Sequence, residues 1–186
     1  MITTNLKKGK LLIAEPSLIS DLSFNRSVVL LTDYNSDGSI GFIINKPLKY
    51  TIKDLVPGVN ASFTIYNGGP IEQDNLYFIH NVPELIIDSI EISYGIYWGG
   101  NFELARILIN EGKIKNENIR FFLGYTGWEA DQLENEMDSN QWIITDNLYQ
   151  NKIIGKSATD FWKKEIIEIG GDYMIWSNAP ENPILN

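Results

Sequence analysis

The pattern that most constrains this fold is a series of short, continuous apolar runs separated by turn-forming residues. Leu11–Ala14 and residues 27–31 and 40–44 are such runs, and the last two are rich in β-branched side chains. Residues 35–38, between them, are turn formers, so these two runs are predicted to form a β-hairpin. Because the apolar residues follow one another without polar alternation, the strands are expected to be covered on both faces.

The rest of the chain alternates β-type and helical segments, which predicts an α/β (α+β) fold with a mixed sheet. Thr51 and Asp54 fit a capping box for a helix of little more than one turn. Asn101 is a predicted N-cap. Ser157 and Asp160 suggest a second capping box. Further strands are predicted at residues 63–66, 76–79, 89–93, 119–123 and 142–144.

The chain of 186 residues contains no Pro/Gly/Ser-rich linker and no internal repeat, so one domain spanning residues 1–186 is expected. Lys and Arg total 15 against 24 Asp and Glu, a net charge of -9. Direct nucleic-acid binding is therefore not expected, since it requires a basic face. No apolar run is long enough to cross a membrane and no secretory signal is visible, so a cytoplasmic protein without membrane contact is expected.

Cysteine is absent and His80 is the only histidine, which excludes disulfides, thiolate metal sites and histidine-rich metal sites. No metal or cofactor is therefore expected. The acids between Glu129 and Asp138 lie at helical spacing and are interpreted as a solvated helix face. His80 itself could act as a general base near neutral pH, or could be a structural histidine bonded to backbone at a strand end.

The glycine-rich segment 124–128 lies between a predicted strand and a predicted helix. Free backbone N–H groups at a helix start suit an anion, so Gly124, Gly127 and Trp128 are candidate ligand-binding residues. The alternative is that the glycines only permit a tight turn and that Trp128 packs in the core.

Arg26 and Asn45 are predicted to lie at the same end of the hairpin, away from its turn. Arg26 could bind a carboxylate or phosphate with two hydrogen bonds, or could pair with Glu15 or Asp21 to fix a loop. Asn45 precedes Lys46-Pro47, a natural end for a strand.

Several segments occur in the order typical of one protein family: residues 9–16, 41–47, 66–70, 95–100 and 121–128. Together they resemble the YqgE/AlgH family (UPF0301, DUF179) of bacterial proteins. The resemblance implies a single domain whose mixed, bifurcated sheet folds into a pseudo-barrel flanked by helices. It implies no established activity, although members are often labelled transcriptional regulators. Asn101 and Asp131 depart from the residues expected at their positions, which argues against a shared catalytic group there.

The sequence thus favours a non-enzymatic cytoplasmic protein that binds a small anionic ligand or a protein partner, with its oligomeric state open. One alternative is a hydrolase or transferase with His80 as base and a nearby Ser27-type hydroxyl or carboxylate as partner. Another is indirect transcriptional regulation through protein contacts. The predicted binding surface joins nine residues: Arg26, Ser27, Asn45, Gly68, Gly69, His80, Gly124, Gly127 and Trp128.

Overall fold

A computed structural model describes residues 5–16 and 23–179, in which ten strands form one mixed sheet. The strands are β1 (Leu11–Ala14), β2 (Val28–Asn35), β3 (Gly38–Ile43), β4 (Pro47–Thr51), β5 (Thr64–Asn67), β6 (Ile71–His80), β7 (Ile90–Ser93), β8 (Ile96–Trp98), β9 (Ile119–Glu129) and β10 (Trp142–Thr145). The helices are α1 (Ile52–Leu55), α2 (Phe102–Asn110), α3 (Gln132–Asp138) and α4 (Phe161–Ile169), with 3₁₀ segments at Gln150–Gly155 and Gly171–Asn178.

The sheet branches at its longest strand, β9. The main path runs β10-β1-β2-β3-β9-β6-β8-β7, while β5 also pairs with β9 and carries β4 at its outer edge. The second half of β9 pairs antiparallel with β3, whereas its first half pairs in parallel with β5. The predicted mixed, bifurcated sheet flanked by helices is therefore confirmed. Within the described residues its end strands β10 and β7 do not pair with each other, so the sheet does not close into a barrel.

The predicted hairpin is confirmed as β2 and β3. Asn35 pairs with Gly38, which leaves Ser36 and Asp37 as a two-residue turn. Both faces of this part of the sheet are covered, as the continuous apolar runs predicted. Leu11, Leu30 and Phe42 belong to one buried cluster with residues of α4, while alternating residues face a second cluster that includes Leu133 of α3.

The strands that extend furthest beyond their predicted bounds are β6 and β9. β6 begins at Ile71 rather than at residue 76, and β9 continues to Glu129 rather than ending at residue 123. Gly124 has a φ of +70°, yet pairing resumes beyond it because Thr126 to Glu129 meet β3. Strands β4 and β8 were not predicted, and Pro47 begins β4, which pairs on one side with β5.

The helix caps are confirmed in two cases and wrong in one. The Thr51 amide donates to Asp54 Oδ2 at 2.8 Å, and Asn101 Oδ1 accepts from the Leu104 amide at 2.9 Å. The second capping box is wrong because α4 begins only at Phe161. The Ser157 hydroxyl oxygen instead accepts from the Thr159 amide at 3.2 Å, a local turn before the helix.

Candidate functional site

A pocket of about 440 Å³ opens where β2 begins and β3 ends, against the N-terminal turn of α4. We call it the basic pocket. Its walls are Asn25, Arg26, Asn45, Lys46, Ala158, Asp160, Phe161, Trp162 and Lys163. Two of the predicted site residues, Arg26 and Asn45, therefore do lie together at the predicted end of the hairpin.

The charge of the basic pocket opposes that of the whole chain. Among the described residues of its walls, Arg26, Lys46 and Lys163 are cations and Asp160 is an acid. The complete chain carries a net charge of -9. Like charges lining a concave surface focus the local potential, so the basic residues of this wall oppose the overall negative charge.

Asn45 holds the two strands of the hairpin together where their backbone pairing stops. Its side-chain Oδ1 accepts from the Val28 amide at 2.8 Å, and its Nδ2 donates to the Arg26 carbonyl at 2.9 Å. The amide side chain thus replaces one rung of the β-ladder. It also fixes the backbone from which the Arg26 side chain enters the pocket.

Arg26 adopts a left-handed backbone conformation, with a φ of +54° that is costly for a residue with a Cβ. Its Nη2 donates to the Ala179 carbonyl at 2.6 Å, and its guanidinium carbon lies 5.0 Å from the centre of the Trp162 ring. The Trp162 indole in turn donates to the Ala14 carbonyl at 2.8 Å. Asp21, a predicted alternative partner of Arg26, lies outside the described residues.

The other two cations come from different elements. Lys46 follows β3, and its Nζ donates to the Asn25 carbonyl at 2.6 Å. Lys163 lies in the first turn of α4 and is half-buried. Sequence reasoning missed Lys163. Its only signal was a cation one residue after Trp162 on a predicted helix.

His80 does not lie in a cleft with a hydroxyl or carboxylate partner. It is fully buried, its Nδ1 accepts from the Val82 amide at 3.3 Å, and Nε2 then donates to the Gly99 carbonyl at 3.2 Å. Burial lowers the pKa of His80, so the neutral ring is favoured. Both ring nitrogens are occupied by backbone, and the hypothesis of a His80 general base is wrong. Ser27 is fully buried as well.

Gly68, Gly69 and Gly124 allow two backbone segments to touch rather than a ligand to bind. The Gly68 amide donates to the Leu123 carbonyl at 2.8 Å. A Cβ at Gly69 would lie 2.2 Å from the Tyr125 carbonyl oxygen, and one at Gly124 would lie 2.6 Å from the Gly69 carbonyl oxygen. The space beside each glycine is therefore already filled by the chain itself.

The predicted anion site at residues 124–128 is also wrong. The segment is part of β9, and the following helix, α3, begins only at Gln132. Trp128 is 5% exposed and its indole donates to Glu136 Oε2 at 2.8 Å, so it packs in the core. Gly127 and Trp128 line a different pocket of about 490 Å³, whose walls include the acids Asp33, Asp37 and Glu129.

The acids of α3 do more than form the predicted solvated face, because two of them accept hydrogen bonds from aromatic side chains. Glu136 accepts from the indoles of both Trp128 and Trp142 at 2.8 Å, and Glu134 accepts from the Tyr34 hydroxyl at 2.6 Å. The hydrogen bond to Glu134 raises the pKa of Tyr34. Within the described residues, no group of three or more acids and histidines is placed to hold a metal ion.

Arg120 is a second residue that sequence reasoning missed. Although it is only 4% exposed, its guanidinium donates to the carbonyls of Ile154 at 2.8 Å, Ile44 at 2.6 Å and Lys156. The same group lies 4.4 Å from the Tyr66 ring centre. A cation inside the apolar run 119–123 was the available signal. Since Ile44 precedes Asn45, Arg120 supports the strand end that forms the basic pocket.

None of the helices in the described parts of the chain has both the length and the apolar character needed to cross a bilayer. The AlgH-like family profile, DUF179, matches residues 11–174. A UPF0301 protein from Cytophaga hutchinsonii is 42% identical over 183 residues, which cover 97% of this chain and 100% of the relative. One from Bacteroides thetaiotaomicron is 38% identical over 183 residues, covering 96% and 91%.

Two solved structures share the fold. A protein from Corynebacterium diphtheriae superposes with a TM-score of 0.76 at 18% identity, covering 96% of this chain and 95% of the other. The AlgH protein from Pseudomonas aeruginosa superposes with a TM-score of 0.71 at 23% identity, covering 97% of each chain. At these identities the likeness concerns the fold. The match to the family profile and the sequence relatives together show that the chain belongs to the AlgH-like (UPF0301, DUF179) family.

Proposed function

We propose that this protein binds a small anion, with phosphate or carboxylate groups, in the basic pocket. The observation that carries the proposal is the meeting of Arg26, Lys46 and Lys163 around one cavity in a chain of net charge -9. Guanidinium and ammonium groups form charge-assisted hydrogen bonds with such anions, which are stronger than neutral ones. The role is binding, and regulation of other proteins through the bound state is consistent with it.

The backbone around the pocket supports the same conclusion. Arg26 and Asp160, which both line the pocket, have left-handed φ angles of +54° and +55°. Non-glycine residues in this region cost of the order of 1–3 kcal/mol each, and such strain clusters at ligand sites. The left-handed backbone of Arg26 accompanies the contact of its side chain with Trp162, and both residues line the cavity.

The experiment is a thermal-shift titration with sodium phosphate at pH 7.5, with sodium chloride keeping the ionic strength constant. A ligand at 100 times its dissociation constant adds about 2.7 kcal/mol to the free energy of unfolding. For a chain of this size such a gain raises the Tm by roughly 5–10 °C. We expect a saturable rise with phosphate. No rise with phosphate or with a tricarboxylate probe, citrate, would contradict the proposal.

Two neighbouring lysines provide a matched pair of variants. Lys163 lines the basic pocket, whereas Lys164 is exposed on the next position of α4 and does not line it. Both Lys163→Gln and Lys164→Gln remove one positive charge from the same helix turn. Binding in the pocket predicts that Lys163→Gln weakens phosphate binding at least fivefold while Lys164→Gln changes it less than twofold. Equal weakening would show attraction by surface charge alone.

A further inference from the structure

A second pocket of opposite charge lies at the C-terminal end of α4. Its volume is about 430 Å³, and we call it the acidic aromatic pocket. One wall is Glu15, directly after β1, and the other is the start of the 3₁₀ segment Gly171–Asn178. The lining residues are Glu15, Ile169, Gly170, Gly171, Asp172, Tyr173 and Trp176.

The described part of this wall carries negative charge. Glu15 and Asp172 are the charged lining residues, and no lysine or arginine is among the described residues of the wall. Burial, and then the nearby carboxylates of Glu15 and Asp172, raise the pKa of the Tyr173 hydroxyl. Both acids belong to the same cavity wall as Tyr173.

Two aromatic side chains complete the wall. Tyr173 is half-buried, and Trp176 remains 37% exposed although it lines the cavity. The face of an indole or phenol ring carries negative electrostatic potential and attracts organic cations within about 6 Å. Gly170 and Gly171 leave the wall open beside these rings, since a Cβ at either position would meet no atom of the described residues within 4 Å.

We propose that the acidic aromatic pocket binds a small organic cation, an alkylated ammonium or a guanidinium group. Carboxylates balance the charge of such a cation, while rings contact its apolar or planar surface, which a hydrated metal ion does not offer. The described residues also contain no group of three or more acids or histidines suited to a metal ion. This site and the basic pocket have no lining residue in common among those the structure describes.

The test is a titration of the full chain, labelled with ¹⁵N, with tetramethylammonium chloride, and in parallel with sodium chloride. The reporters are the Trp176 indole N–H and the backbone amides of Gly170 and Gly171. We expect these signals to move saturably with tetramethylammonium, but not with sodium, while the amide of Asn45 in the basic pocket stays in place. A parallel titration with methylguanidinium chloride shows which of the two cation types is preferred. Saturable binding of either supports the proposal.

Matched variants locate the binding to this cavity. Asp172→Asn removes one pocket carboxylate, and Glu168→Gln removes an exposed carboxylate of α4 that does not line the pocket. We expect Asp172→Asn to weaken tetramethylammonium binding at least fivefold and Glu168→Gln to change it less than twofold. Trp176→Leu, which keeps an apolar side chain but removes the ring, should weaken it by a similar factor to Asp172→Asn.

Three results would overturn the proposal. One is the absence of saturable shifts with both organic cations. Another is an equal loss with Asp172→Asn and Glu168→Gln, which would indicate general charge screening. The third is an unchanged affinity in Trp176→Leu, with the Gly170 and Gly171 amides still in their native positions, because the ring would then contribute nothing. Phosphate titration of the same sample tests the basic pocket separately, so failure of one site leaves the other measurable.

Discussion

The residues predicted to form one binding surface fall into two regions that use their polar groups differently. Along β9, the ring nitrogens of His80 and the amides near Gly68 are bonded to the protein's own backbone. In the basic pocket, Arg26 and Lys46 also bond to backbone carbonyls, yet both still line an open cavity. Position at a strand end is common to both regions. What separates Arg26 and Lys46 from His80 and Gly68 is that the two cations line an open cavity.

This difference shows why a polar residue at a strand end is weak grounds for a site. A strand end leaves backbone groups without ladder partners, and a nearby polar side chain is the simplest way to satisfy them. His80 serves that purpose completely. Asn45 does so too, but its two hydrogen bonds also fix the backbone of Arg26, which lines the pocket. The comparison therefore predicts different consequences of mutation in the two regions.

The largest loss of stability is expected from Gly69→Ala, because Gly69 packs against the backbone of β9. The new Cβ would lie 2.2 Å from the Tyr125 carbonyl oxygen, and the φ of +152° disfavours any side chain. Backbone cannot move aside cheaply, so we expect a loss of about 3 kcal/mol or more in the free energy of unfolding. Chemical denaturation followed by tryptophan fluorescence measures it.

The matched control is Gly112→Ala, at another glycine with a positive φ of +71° but with no atom within 4 Å of the new Cβ. The only cost at Gly112 is that alanine disfavours a positive φ, which amounts to roughly 1 kcal/mol. If Gly69→Ala cost no more stability than Gly112→Ala, a Cβ at Gly69 would have room beside the Tyr125 backbone. Gly68 and Gly69 would then return as candidates for ligand contact.

Local patterns in the sequence were sufficient for the hairpin, the covered sheet and the caps at Thr51 and Asn101, because each depends on residues close together in the chain. They failed at residues 124–128. The glycines there suggested a turn, but β3 supplies pairing partners that keep the segment extended. They also failed at Arg120, whose partners Ile44 and Ile154 are far away in sequence.

The basic pocket was half predictable for the same reason. Arg26 and Asn45 flank one hairpin, so strand direction alone places them at the same end. Lys163 and Asp160 arrive from a helix more than 100 positions further along the chain. Nothing local indicates that the first turn of α4 packs against that end. Sites built by distant elements require the tertiary structure.

A smaller effect is expected from protonation of His80. Burial lowers its pKa in the folded state below the ordinary value near 6.5, so between these two values the unfolded chain binds a proton that the folded chain does not. Stability should therefore fall as the pH drops below about 6.5, until the folded pKa is reached. The slope from one proton is at most about 1.4 kcal/mol per pH unit.

Urea unfolding of wild type and His80→Gln at pH 7.5 and 5.5 measures this contribution. The variant is expected to be less stable at pH 7.5, because it cannot keep both backbone contacts, but to lose less stability on acidification than the wild type. The difference between the two pH values removes the titration of carboxylates that both proteins share. An identical loss in both proteins would mean that His80 titrates freely in the folded state, contrary to its burial.

The smallest effect on stability, and the most informative one, is expected from Arg26→Asn. Asparagine tolerates the left-handed backbone at this position better than arginine does. That relief, about 1 kcal/mol, offsets the lost contacts of the guanidinium with the Ala179 carbonyl and the Trp162 ring. The free energy of unfolding should stay within about 1 kcal/mol of wild type, while phosphate affinity falls at least tenfold.

Arg26→Lys, which keeps the charge but not the forked donor, should retain intermediate affinity. If replacing Arg26 costs little stability but much phosphate affinity, its strained conformation serves the ligand. If Arg26→Asn instead unfolded the protein as severely as Gly69→Ala, Arg26 would belong with His80 among the groups that only hold the fold.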